Sequence, residues 1–245
     1  MNPKSSNPVF RTIDESQVSS NTASFLGITA KTGILLLTAV LATVGANLLI
    51  SNEMYDSLYI ILGASGIVAF IAVMLGIFIP RLAAPFSILY SAAQGFTLGT
   101  LTLILDQVMP GIGIMAVTAT LTIFAIMLAL YSTKTLRATN RFRKFMYGTI
   151  LGIFAFTLIS LIVTLINPNI FNFMNNPTVA ILVSVFLIGY GAFMLILDFD
   201  RAQQIVESGA DKRYEWTAAL GLMVTIVWIY IEVLRLLTIL LANRE

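Results

Sequence analysis

Seven apolar runs, each near the roughly 20 residues that cross a bilayer's hydrocarbon, divide this chain at 32–50, 58–79, 83–105, 112–131, 145–166, 178–198 and 216–241. Lipid offers the backbone no hydrogen-bond partners, so runs of this length are satisfied only as helices. Charged residues make up 11% of the 245 positions, against about 25% in a soluble domain. The fold class expected is an all-α integral membrane protein, a seven-transmembrane-helix bundle over residues 25–245. Residues 1–24 are polar and rich in Ser and Asn, the composition of a disordered tail. The first apolar run starts well after them and is too long for a signal-peptide core, so cleavage is not expected.

The basic residues give the expected orientation. If the N-terminus is inside, one side of the membrane holds Lys4, Arg11, Lys31, Arg81, Lys134, Arg137, Arg141, Arg143, Lys144, Arg201, Lys212 and Arg213. Of the 14 Lys and Arg, only Arg235 and Arg244 remain. The positive-inside rule then predicts N-in, C-out. The basic loop between the fourth and fifth runs is read as this determinant, lying near lipid headgroups. A nucleic-acid surface is not expected.

Much chemistry is excluded by composition. The chain has no Cys and no His, which removes thiolate chemistry, disulfides and the commonest general base. Gly63-Ala64-Ser65-Gly66 has the form of an intramembrane serine-protease motif, but that mechanism needs a histidine to take the serine proton. A retinal Schiff base needs a lysine in the last run, which has none. The Gly-x-Gly-Asp signature of an intramembrane aspartyl protease is absent. The chain is therefore expected not to be an enzyme and to carry no organic cofactor. No internal repeat supports the inverted-repeat plan of secondary transporters. Short connections predict that sequential helices pack as antiparallel neighbours. Gly95-x-x-x-Gly99 and Gly148-x-x-x-Gly152 are expected to let helices approach closely within the chain. Gln94 and Asn47 are neutral polar groups at membrane depth; each either lines a pathway or bonds a neighbouring helix.

The last two runs carry charge where it is costly, roughly 2.5–3.5 kcal/mol per group on insertion scales. Asp198 and Asp200 lie about 200° apart on a helix and cannot share one face. Glu232 and Arg235 are three residues apart and can touch. Three readings follow. Glu232 and Arg235 form a self-neutralising pin; or Glu232 shares a proton with an aspartate; or the carboxylates bind a hard cation such as calcium, which takes oxygen ligands. A helix running from 178 to Glu207 would set Glu232 opposite about residue 188, leaving Asp200 about 18 Å away. A direct pair would need a later turn, near 215–216.

Several stretches resemble the Bax inhibitor-1 (transmembrane Bax inhibitor motif) family, especially its bacterial branch: Asn7-Pro8-Val9-Phe10-Arg11, Lys31-Thr32-Gly33, Met109-Pro110-Gly111-Ile112, Thr139-Asn140-Arg141-Phe142-Arg143, Leu197-Asp198-Phe199-Asp200 and Tyr230-Ile231-Glu232-Val233-Leu234-Arg235. The resemblance implies a pH-sensitive calcium leak in a bacterial inner membrane, with a carboxylate from each of the last two helices as proton sensor. Glu232 stands where the family usually has aspartate. Asp200, followed by Gln203, best fits the other position, with Asp198 its rival; Gln94 stands where bacterial relatives often carry an acid. Asp198, Asp200, Glu232 and Arg235 are thus the expected sensor and ion-path residues, with Gln94 as a pore-lining group and calcium at the three carboxylates. The expected partners are the bilayer, calcium and protons. The alternative is a non-transporting regulator that binds other membrane proteins, such as a quality-control protease, through the polar tail and the basic loop.

Overall fold

A computed structural model describes residues 22–52, 55–166 and 176–242. Most of the expected tail, and residues 167–175, lie outside the described residues. Among the described residues seven helices follow in order: α1 (Phe25–Ser51), α2 (Tyr55–Phe78), α3 (Ala83–Val108), α4 (Ile112–Ser132), α5 (Asn140–Ile166), α6 (Pro177–Glu207) and α7 (Tyr214–Ala242). One 3-10 turn, Pro80–Leu82, joins α2 to α3. All seven are long and apolar enough to cross a membrane. The end at which α1 begins also carries Arg81, the 134–144 loop and the α6–α7 turn; it is called the basic end below.

Several helices overrun their apolar runs. α1 begins at Phe25, where Ser24 caps it by accepting a 3.0 Å bond from the Gly27 N–H. α6 has 31 residues, about 46 Å of helix against about 30 Å of hydrocarbon. Its length exceeds what the hydrocarbon requires, so the polar residues of its last turns need not end it. Hydropathy locates the lipid boundary, whereas capping locates the helix end. At that end Gly209 takes φ +66°. The Gly209 and Ala210 N–H groups bond back to Val206 O and Ile205 O, a Schellman closure that needs a left-handed residue.

α7 is the central post. It packs against α1, α2, α3, α4 and α6, and its buried residues, among them Leu220, Met223 and Ile229, join the two largest apolar clusters. The expected packing of sequence neighbours holds for α2–α3 and α6–α7. It holds only weakly for α1, which touches α2 but packs chiefly against α3, running parallel to it. The cause is the pair Gly95 and Gly99: a Cβ at either would collide with Ala39 or Thr43 of α1. Thr43 Oγ1 donates across this contact to Gly95 O at 2.9 Å. Ser65 bonds Thr97 at 2.6 Å, tying α2 to α3, which is a packing role for the false protease motif. Gly148 and Gly152 depart from expectation, since nothing lies within 4 Å of a Cβ at either. α5 is peripheral, exposing Phe145, Leu151, Phe154 and Leu165, and touches α6 mainly near Met146, Tyr190 and Leu197.

Candidate functional site

The register of the α6–α7 hairpin decides which acids can meet. A Cβ at Gly191 would lie 2.8 Å from Ile229 Cγ1, and Thr225 Oγ1 donates to Asp198 Oδ2 at 2.5 Å. Residues 191 and 229, and 198 and 225, are therefore level. Because α6 continues to Glu207, Glu232 falls opposite roughly residues 188 to 191, and Asp200 sits about 14–18 Å from it along the axis. The Glu232–aspartate pair implied by the resemblance is not assembled in this conformation. Among the described residues no three acidic side chains gather where they could hold one metal ion.

Each acid has its own surroundings. Asp198 turns toward α7, where its hydrogen-bond donor is the neutral Thr225 hydroxyl; a Cβ at Gly221 would sit 3.8 Å from Asp198 Oδ1. Asp200, on the other face of α6, accepts from Arg143 Nη2 at 2.5 Å and from Gln204 Nε2 at 2.6 Å. Its counter-ion thus comes from the start of α5, and its amide partner is Gln204 rather than Gln203. Gln203 instead accepts from the Tyr131 hydroxyl and donates to Glu207, each at 2.5 Å. Glu232 is buried, and Arg235 Nη1 stands 4.0 Å from its Oε2. That is the limit of an ion pair and too long for a hydrogen bond; among the described residues Oε2 has no hydrogen-bond partner. Arg235 lines a cavity of about 630 Å³ near the far ends of α3, α6 and α7. Gln94 lines a second cavity, about 500 Å³, bounded by α1, α3, α4 and α7. Asn47 is exposed on α1.

One cluster escaped the sequence reading. Glu215, fully buried, forms an ion pair with Lys31 and accepts from the Ser24 N–H and hydroxyl at 2.8 and 3.2 Å. Lys31 also lies 5.3 Å from the Trp216 ring centre, within cation–π range. A Cβ at Gly27 would strike the Glu215 carboxylate, so glycine is required there. Ala23 N–H donates to Ala210 O at 2.8 Å, and Thr22 bridges Asp211 in antiparallel fashion. Residues 22–24, the end of the segment read as a tail, are thereby strapped to the α6–α7 turn. In that turn the Arg213 side chain and N–H hold the Asp211 carboxyl down at about 2, from its usual 3.8. In the sequence Lys31 stands out only as a topology charge and as part of the Lys31-Thr32-Gly33 stretch, and Glu215 only as a position next to the possible turn at 215–216. The one local signal was an acid directly before the aromatic start of an apolar run.

Long apolar helices, a glycine-mediated α1–α3 contact and acids at separate depths along α6 and α7 define a polytopic membrane protein with buried ionisable groups. A family profile described as Bax inhibitor 1 like matches residues 7–242, nearly the whole chain, and the protein belongs to that family. No curated protein and no solved structure matches the chain.

Proposed function

We propose that the protein is a pH-sensitive cation leak, with calcium as the permeant ion, in a bacterial inner membrane whose cytoplasmic side faces the basic end. Asp200, Asp198 and Glu232 act as successive stations rather than as one site, with Arg143 and Arg235 as their counter-charges and Gln94 as a wall group. The observation that carries this reading is Asp198, which has a neutral hydroxyl as its hydrogen-bond donor. A partly buried carboxylate with no cation bonded to it is costly when ionised. It is stable either with a proton or with a visiting cation, and that exchange is the chemistry of a proton-gated path. Protonated acids hold the α6–α7 pair closed; deprotonation frees oxygen ligands of the kind calcium takes.

Calcium flux into liposomes, followed across a pH series, tests the reading. Asp198→Asn and Glu232→Gln should flatten the pH response. Flux and pH profile unchanged in Asp200→Asn and Glu232→Gln would remove those residues from the mechanism. The second reading, a regulator of other membrane proteins, draws support from the strap, because a partner held by residues 1–21 would pull directly on the α6–α7 turn. Deleting residues 1–21 while keeping the strap should then abolish partner pull-down and leave flux intact. Retained binding counts against the tail.

A further inference from the structure

α4 packs against α3, α6 and α7, and α1 against α2, α3, α6 and α7, yet α1 and α4 are not packed on one another. The gap between them, floored by α7, holds two cavities of about 530 and 500 Å³ that share Leu36 as a common wall. The first reaches from Phe25 of α1, at the basic end; the second reaches Thr43. The cleft therefore follows about 27 Å of α1, most of the hydrocarbon thickness. Its walls are mainly apolar. At the basic end its mouth is polar, with Thr29, Ser132 and Lys134.

Lys134 is the unusual residue of this mouth. Its φ is +60°, a left-handed conformation that costs a non-glycine residue roughly 1–2 kcal/mol and that helices commonly give to glycine at this position after their last turn. It follows α4 with its N–H bonded to Tyr131 O at 2.9 Å, and among the described residues its ammonium has no acidic partner. Two acids lie near the mouth and both are held: Glu207 by Gln203, and Asp200 by Arg143 and Gln204. The fold thus places a free cation, at a backbone cost, where a long apolar cleft meets the membrane surface. Basic pockets between helices on the cytoplasmic side suit anionic lipid headgroups.

We propose that the α1–α4 cleft binds an anionic phospholipid, its phosphate on Lys134 and the neighbouring hydroxyls and an acyl chain along the cleft. A partner helix fits less well, because an apolar helix in the cleft would leave the Lys134 ammonium at the mouth without a counter-charge, whereas a phosphate there pairs with it.

Native mass spectrometry of the full chain, titrated with phosphatidylglycerol or phosphatidylcholine, provides the test. Two substitutions are compatible with the fold. Lys134→Gly puts glycine at the positive φ, and Gly33→Leu enters open space on the cleft wall, since nothing lies within 4 Å of a Cβ there. The intact chain should retain one phosphatidylglycerol in preference to phosphatidylcholine. Lys134→Gly should lower that preference about fivefold, and Gly33→Leu should lower retention of both lipids. Inorganic phosphate should not displace the lipid. Equal retention of the two lipids by the intact chain, unchanged phosphatidylglycerol binding in both variants, or displacement by phosphate each overturns the proposal.

Discussion

Glu215 is the residue on which the basic end depends most. Breaking a buried ion pair from one side leaves the other charge unpaired and costs about 3–5 kcal/mol, whereas replacing both partners with apolar groups is often neutral. Lys31 keeps 13% of its side chain exposed, so Glu215→Gln should cost about 3 kcal/mol, at the low end of that range. The double substitution Lys31→Met with Glu215→Met should recover most of the loss, as measured by denaturant unfolding in detergent. A neutral single variant would show that the pair is not stabilising. Asp211 makes the opposite prediction, one of indifference to pH. Its pKa is depressed in the fold, so its stabilisation is fully present above its usual 3.8 and lost as pH falls through about 2. Hydrogen exchange at Ala23 should therefore stay protected as pH is varied from about 5 upward. Loss of protection near neutrality would place a proton switch in the turn itself.

Among the elements, the two glycine pairs separate a motif from its use. Gly95 and Gly99 sit against α1, and the nearest atoms to a Cβ at Gly95 are backbone atoms of Ala39, which cannot rotate away. Gly95→Ala should destabilise by roughly 1–3 kcal/mol through overpacking. Gly148→Ala and Gly152→Ala enter open space on α5 and should each be neutral or stabilising by up to about 1 kcal/mol through helix propensity. Unfolding curves of the single variants check both. Equal effects at the two pairs would contradict the difference in packing. The two pairs have the same spacing in sequence; the α3 pair faces a neighbouring helix, whereas the α5 pair faces open space.

For the molecule as a whole, the issue is whether the acids of α6 and α7 ever meet. The absence of Cys makes cross-linking clean, and a disulfide needs Cα atoms within about 7 Å. Asp198→Cys with Thr225→Cys should cross-link readily, whereas Asp200→Cys with Glu232→Cys, about 14–18 Å apart along the axis, should not. Rapid formation of the second bond would mean that the hairpin slides by several turns. If the leak proposal holds, gating then works by exchanging protons and ions at separate stations, without closure of one carboxylate pair.

The sequence by itself determined the helix number, the membrane setting and the family, because a bilayer dictates segment length and polarity directly. It also placed Asp198 and Asp200 on opposite faces of one helix, since 3.6 residues per turn requires it, and the structure turns one to α7 and the other to α5. Only the tertiary structure decided where α6 stops, and with it the hairpin register that leaves Glu232 beside Arg235 and away from the aspartates. Apolar patterning reports the lipid boundary, whereas register is set by a glycine turn well outside it. The tertiary structure likewise brought Lys31 to Glu215, and opened a cleft between α1 and α4. Neither was legible, because contacts across 184 residues and gaps between helices leave no local pattern in the chain.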